Sequence, residues 1–447
     1  MTPSVRRFIA NEAGSAAVLL AATVAALIWA NTPWSGSYAD FWETPMRFFI
    51  GDHGLVMDLR HFVNDAAMAV FFLVLGLEIT RETKAGELQD LRTIIVPACG
   101  AIGGMLVPIG IYLLINHGGP AAHGWGIVMS SDTAFVLGVL ALFGPRCPDQ
   151  LRLFLLALAV VDDIGAITVM ALFYTDHVRA MPLFLAGLVV LGFAVLRWLG
   201  VWRLTPYIVL SLLLWLATYA SGVHPTLAGV LAGLLIPASS VVNPRGRELM
   251  VFGRALIENP SADGVRLANL AAASTVSANQ RLQVWLHPWS AYFVIPAFGL
   301  ANAGVDLSPH TLSVASTSPV TIGIAVALVV GNAVGISAFS TVALRTGLGK
   351  LPGRVRYSHL FGGAVLAGIG FTISLFITDL AFDDPRLRDQ AKIGILAGSL
   401  VAALLGAWIL RVMGERTSLC SPAGDGAPGT LPPLPWSAPA LPGTSLR

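Results

Sequence analysis

Charge is what this sequence has least of: 12% of its residues are charged, where a soluble globular chain carries roughly 25%. That deficit excludes an ordinary cytosolic enzyme. Lysine is scarcer still, confined to Lys84, Lys350 and Lys392. No basic run exists outside short loops, so nucleic acid is not an expected partner. The three cysteines, Cys99, Cys147 and Cys420, lack metal-ligand spacing and are too scattered for a disulfide framework. What the sequence does have is apolar length. Of 447 residues 55% are hydrophobic, and a bilayer-spanning helix takes about 20 of them. The fold class is therefore an all-α polytopic membrane protein of about twelve transmembrane helices. Forty-six glycines and 27 prolines argue for closely packed and interrupted helices rather than a plain bundle of anchors.

Residues 1–415 read as one membrane domain, with a cytoplasmic loop at about 239–281 that includes an amphipathic stretch, Arg247 to Ile257. Residues 416–447, rich in proline and glycine, read as a disordered cytoplasmic tail. The start carries Arg6 and Arg7 but no small-residue cleavage site, so it reads as a retained first helix. With the N-terminus in the cytoplasm and an even number of spans, the basic residues fall inside except Arg47, Arg60, Arg179, Arg386, Arg388 and Lys392. This lopsided count predicts both termini in the cytoplasm.

Against so little charge, three carboxylates are misplaced. Asp132, Asp162 and Asp163 each sit near the middle of a predicted span, where a charged side chain costs about 2.5–3.5 kcal/mol on insertion scales. Such residues mark ion pathways more often than structural pairs. Successive helical residues point about 100° apart, so Asp162 and Asp163 cannot face one spot. One can line a watery funnel while the other turns to a neighbouring helix, and together they can exchange protons for a small hard cation. Asp132 lies in a polar run, Met129-Ser130-Ser131-Asp132-Thr133, that predicts a broken helix. Its charge could offset the positive ends of half-helices without ligating an ion. A second interruption is predicted in Leu366-Ala367-Gly368-Ile369-Gly370-Phe371-Thr372, and two interrupted segments in corresponding halves point to an inverted-repeat secondary transporter.

These stretches, together with Val70–Glu78, Ala159–Ala166 and Gly222–Gly229, resemble the NhaA sodium/proton antiporters over about Ala10 to Met413. The resemblance implies twelve helices with inverted repeats, in which two broken helices cross at the midplane. It implies a secondary active Na+(Li+)/H+ antiporter that expels sodium in exchange for protons and controls intracellular pH and sodium. Asp163 would be the principal cation ligand and Asp162 its proton-exchanging neighbour. Asp132 would compensate the helix ends, with Ser131, Thr133 and Asn332 supporting the site. Glu78 and Glu82, four apart on one helix face, and His224 would serve pH response. No cofactor is expected, the ions Na+, Li+ and H+ being cargo. The expected partners are those ions and the lipid bilayer, with a homodimer as a further candidate.

The departures from the family pattern are as informative as the matches. Asn332 stands where the family carries a lysine, so the usual ammonium beside Asp162 is missing and an amide can only hydrogen-bond. Gln283 and Val284 replace an acid and a histidine in the family's pH-response region. Two alternatives follow: an antiporter with altered stoichiometry or pH regulation, or a non-transporting sensor on the same scaffold. A third, an intramembrane aspartyl protease, fails because adjacent acids on one helix cannot face each other across a scissile bond. No enzymatic activity is expected.

Overall fold

The computed structural model describes residues 12–50, 53–85, 91–143, 149–174, 179–238, 245–349 and 357–416. The first residues and the proline-rich tail read above lie outside these. The described residues are helical almost throughout. Among the described residues the one sheet is a small antiparallel pair, β1 (Pro45–Ile50) and β2 (His53–Asp58), with Pro45 opposite Asp58. It follows α1 (Glu12–Ala30) and the short α2 (Ser35–Trp42), bent 117° from each other. Then come α3 (Leu59–Lys84) and α4 (Leu91–Ile115), a tight 3-10 segment Pro120–Val128, and α5 (Thr133–Phe143). Next are α6 (Asp149–Phe173), α7 (Ala180–Trp198), α8 (Leu204–Ser221) and the short α9 (Thr226–Leu235). Between residues 245 and 275 lie two further helices, α10 (Arg245–Glu258), which exposes Met250, Val251 and Ile257, and α11 (Ala262–Thr275).

The second part continues with α12 (Ala278–Trp289), a π-turn at Ser290–Val294 and α13 (Ile295–Asn302), then α14 (Pro309–Thr317). It ends with α15 (Pro319–Arg345), α16 (Tyr357–Leu366), α17 (Phe371–Ala381) and α18 (Pro385–Arg416). Among the described residues seven helices are long and apolar enough to cross a bilayer, or nine if each of two bent pairs counts as one span. The length rule counts uninterrupted helices, and α5 and α9 are too short for it because the chain breaks or turns beside them.

Two glycine seams fix how the long helices pack. On α9, Gly229 and Gly233 are four residues apart, so they stack on one face. A Cβ on Gly229 would strike the Ala69 carbonyl of α3, and one on Gly233 would meet Leu73 O at 2.6 Å. Gly76 answers from α3, its added Cβ meeting Val230 O at 2.6 Å. On α15, Gly331 and Gly335 repeat the spacing: a Cβ on Gly331 would meet Pro108 Cα at 2.7 Å, and Gly335 and Gly103 of α4 abut backbone to backbone. Small residues at this spacing let helix backbones touch where lipid offers no hydrophobic drive for association. In consequence α3 with α9, and α4 with α15, form tight pairs around the polar centre.

Overpacking one seam tests this. Gly335→Val should destabilise the detergent-solubilised protein by about 1–3 kcal/mol, read as a lower midpoint of thermal unfolding. Gly187→Ala, on a face of α7 where nothing lies within 4 Å, should leave the midpoint unchanged or raise it.

Candidate functional site

The site is built where two helices stop being helices. Between the 3-10 segment and α5 the backbone unwinds through Ser130, Ser131 and Asp132, and between α16 and α17 it unwinds before Phe371. Unwound backbone carries unpaired amides and carbonyls, which at membrane depth must be buried against protein. Here the two breaks satisfy each other. The Asp132 amide donates to Ile369 O at 2.6 Å, and a Cβ on Gly370 would meet Ser130 O at 2.9 Å. Glycine at 370 is thus required by the close approach of the other break. Ser374, in the first turn of α17, adds a hydroxyl bond to Ile127 O at 2.6 Å.

Asp132 ties both breaks to their helices. Its Oδ1 accepts from the Phe135 amide at 3.1 Å, which caps the N-terminus of α5. Its Oδ2 accepts from the Thr372 amide at 2.9 Å in the first turn of α17, and from the Thr372 hydroxyl. Each helix N-terminus carries roughly half a positive charge, so one carboxylate lies against two converging positive ends.

The adjacent aspartates of α6 part company. Asp162 turns toward the first break, where its Oδ2 accepts from the Ser131 amide at 2.7 Å. Asp163 faces a cavity of about 160 Å³, lined also by Ser131, Asp132, Thr133, Glu78 and Thr372. Both aspartates are buried, yet Asp163 Oδ1 has no hydrogen-bond partner among the described residues. A buried acceptor of this kind costs several kcal/mol in an apolar setting unless something fills it. The set of oxygens around it, carboxylates and hydroxyls, is the hard-donor chemistry that small cations take.

Of the other residues singled out from the sequence, Asn332 is buried in α15 at the end of a π-turn, Ala327–Gly331. Its amide nitrogen donates back to Leu328 O at 3.2 Å rather than to Asp162. Among the described residues no cation lies within ion-pair distance of Asp162. Glu82 pairs with Arg81 at 3.0 Å, and Arg81 reaches Gln283 Oε1 at 3.3 Å, linking the end of α3 to α12 away from the cavity. His224 stands outside the cavity lining, its Nδ1 sharing a hydrogen bond with Thr226 Oγ1 at 3.0 Å and its ring edge-on to Phe376. Three polar lining residues stand outside the set singled out from the sequence: Ser15, His287 and Ser290. The sequence signal for His287 is a histidine followed by Pro288 at the head of an otherwise apolar span.

Comparison with known proteins bears on what this arrangement is for. The profile of a family described as Na+/H+ antiporter 1 matches residues 6–410. The Na(+)/H(+) antiporter NhaA 3 of Frankia alni is 62% identical over 439 residues, covering 98% of this chain and 95% of its own. NhaA 1 of Mycolicibacterium vanbaalenii is 44% identical over 89% of this chain and 64% of its own length. NhaA of Oleidesulfovibrio alaskensis is 43% identical over 91% of this chain and 93% of its own.

The two-helix cap makes a specific prediction. Thr372→Val removes one donor to Asp132 at nearly constant volume and should destabilise the protein by about 1.5–3 kcal/mol, the worth of a hydrogen bond to a charged group. Thr372→Ser keeps the hydroxyl and should recover most of the thermal stability in the same melt.

Proposed function

The chain belongs to the Na+/H+ antiporter 1 family, and on that footing we propose that it is an integral membrane antiporter that expels Na+ or Li+ in exchange for protons, and so sets intracellular pH and sodium. The observation that carries this reading is Asp163 Oδ1, a buried carboxylate oxygen without a partner on the wall of a cavity. A carboxylate binds a metal ion only when deprotonated. Cation and proton therefore compete for one oxygen, and its occupancy couples the two fluxes. Relatives that bear antiporter names favour exchange over a non-transporting sensor.

In this reading Asp163 is the principal cation ligand and Asp162 the second proton-exchanging carboxylate, held by the Ser131 amide. Asp132 compensates the helix ends, and Ser131, Thr133 and Asn332 shape the surroundings. Glu78, on the cavity wall, serves pH response together with Glu82 and His224. The fold is completed as twelve spans in inverted repeats, with α5 and α17 the halves of two broken spans that cross at the midplane. The protein lies in the inner membrane with both termini in the cytoplasm, supported by the one-sided distribution of arginine. The stretch at 239–281 and the tail are then cytoplasmic. Na+, Li+ and H+ are cargo rather than cofactors, the surrounding lipid is the solvent, and a homodimer is the proposed assembly.

Two measurements bear on the site. In everted vesicles Asp163→Asn should abolish the collapse of ΔpH on adding Na+, whereas exchange at the wild-type rate would remove Asp163 from the mechanism. Protons that compete for the site should also weaken apparent Na+ affinity as pH falls, by about tenfold per unit for each competing proton on the acid limb. A Michaelis constant for Na+ that is flat across that limb would argue for separate proton and cation sites.

A further inference from the structure

Three helices that reach the cavity continue past it through the same sequence of layers. On α13, Ile295 lines the cavity, Phe298 follows one turn on and Asn302 one turn further. On α17, Thr372 and Ile373 line the cavity, then come Phe376 and Asp379 at the same spacing. On α3, which is traversed in the opposite sense, Phe71 and Leu75 line the cavity, Phe72 at the same level turns its ring to Phe376, and Asn64 lies two turns beyond. The aromatic layer centres on Phe376, whose ring is tilted against Phe72 at 5.5 Å and against Phe298 at 6.3 Å, and all three are buried.

The polar layer behind it is tied across four helices. The carboxamides of Asn64 and Asn302 exchange hydrogen bonds, Asn302 Nδ2 to Asn64 Oδ1 at 2.7 Å and Asn64 Nδ2 to Asn302 Oδ1 at 3.3 Å. Asn64 Nδ2 also donates to Asp379 Oδ2 at 3.2 Å. The other oxygen of Asp379 faces Lys392 Nζ of α18 at 3.7 Å, and the Lys392 side chain is 8% exposed. A buried ion pair is a poor source of stability, since desolvation offsets most of its attraction, but it does fix register and can serve as a switch. Nothing in the cation site needs these four residues. Resting on the transport reading above, we propose that Asn64, Asn302, Asp379 and Lys392 form a polar clamp that, with the aromatic layer, shuts the cavity from the side of the membrane where α17 ends and α18 begins, and that must open in every exchange cycle. Clamp and plug divide the work: the aromatics exclude water and ions, while the polar contacts hold the four helices in the shut register and can be exchanged for water when they part.

The test uses the full chain with Cys99, Cys147 and Cys420 replaced by serine. In Asn64→Cys/Asn302→Cys, a short bis-methanethiosulfonate cross-linker should abolish Na+/H+ exchange in proteoliposomes, and reductant should restore it. Full exchange before cross-linking and unchanged exchange after a verified cross-link would overturn the clamp while leaving the antiporter reading intact. A second measurement does not depend on transport. A cysteine probe in the aromatic layer, Phe376→Cys, should react with an impermeant maleimide from the α17–α18 side about tenfold faster when Asp379→Ala is added, the loss of about one hydrogen bond to a charged group. An unchanged labelling rate would equally overturn the proposal.

Discussion

The arrangement of the whole centre depends on one carboxylate that caps two helices at once. Asp132 accepts from the first turn of α5 through one oxygen and from the first turn of α17 through the other. Two positive helix ends brought together in a low-dielectric interior repel each other, and a negative charge between them turns that repulsion into attraction toward a common point. Because the breaks then lie against each other, the Asp132 amide can satisfy Ile369 O, and the Ser131 amide is left pointing outward to hold Asp162. The Asp162 interaction is therefore a consequence of the Asp132 interaction. Adjacent aspartates on a regular helix receive different environments, one held by a backbone amide and one open to the cavity.

This division of labour also bears on the missing lysine. An ammonium beside Asp162 would be a second way to satisfy that carboxylate. With Asn332 engaged by its own helix at Leu328 O, Asp162 is held by Ser131, through its backbone amide and its side chain. The contacts to the carboxylates at the centre then come from helix ends and backbone amides, fixed groups with no titratable proton.

How much of this was legible in the sequence depends on which link was being read. The two breaks could be located because polar and glycine residues interrupt apolar runs at Ser130–Asp132 and Gly368–Gly370, and the cost of charge in lipid marked all three aspartates. That Asp162 and Asp163 diverge followed from helical geometry alone. What could not be read was pairing between distant segments: Thr372 against Asp132, His287 on the cavity wall, or Asn64 with Asn302 and Asp379. These contacts join residues hundreds of positions apart, and periodicity carries no information about which helix a face meets. Span counting reached its limit for a related reason, since a length rule applied to helices such as α5 and α9 meets elements too short to satisfy it.

The glycine seams have a mechanical meaning. Where Gly229 and Gly233 bring α9 onto α3, and Gly335 meets Gly103 between α15 and α4, backbone touches backbone and leaves little side chain to swing aside and absorb sliding. Packed interfaces of this kind are stiff against small displacement and either hold or separate. The smallest rigid body in this protein is accordingly a pair of helices rather than a single one. Asn64 and Glu78 sit at opposite ends of α3, so a tilt of the α3–α9 pair acts as a lever: one end of the rod cannot rise without the other falling.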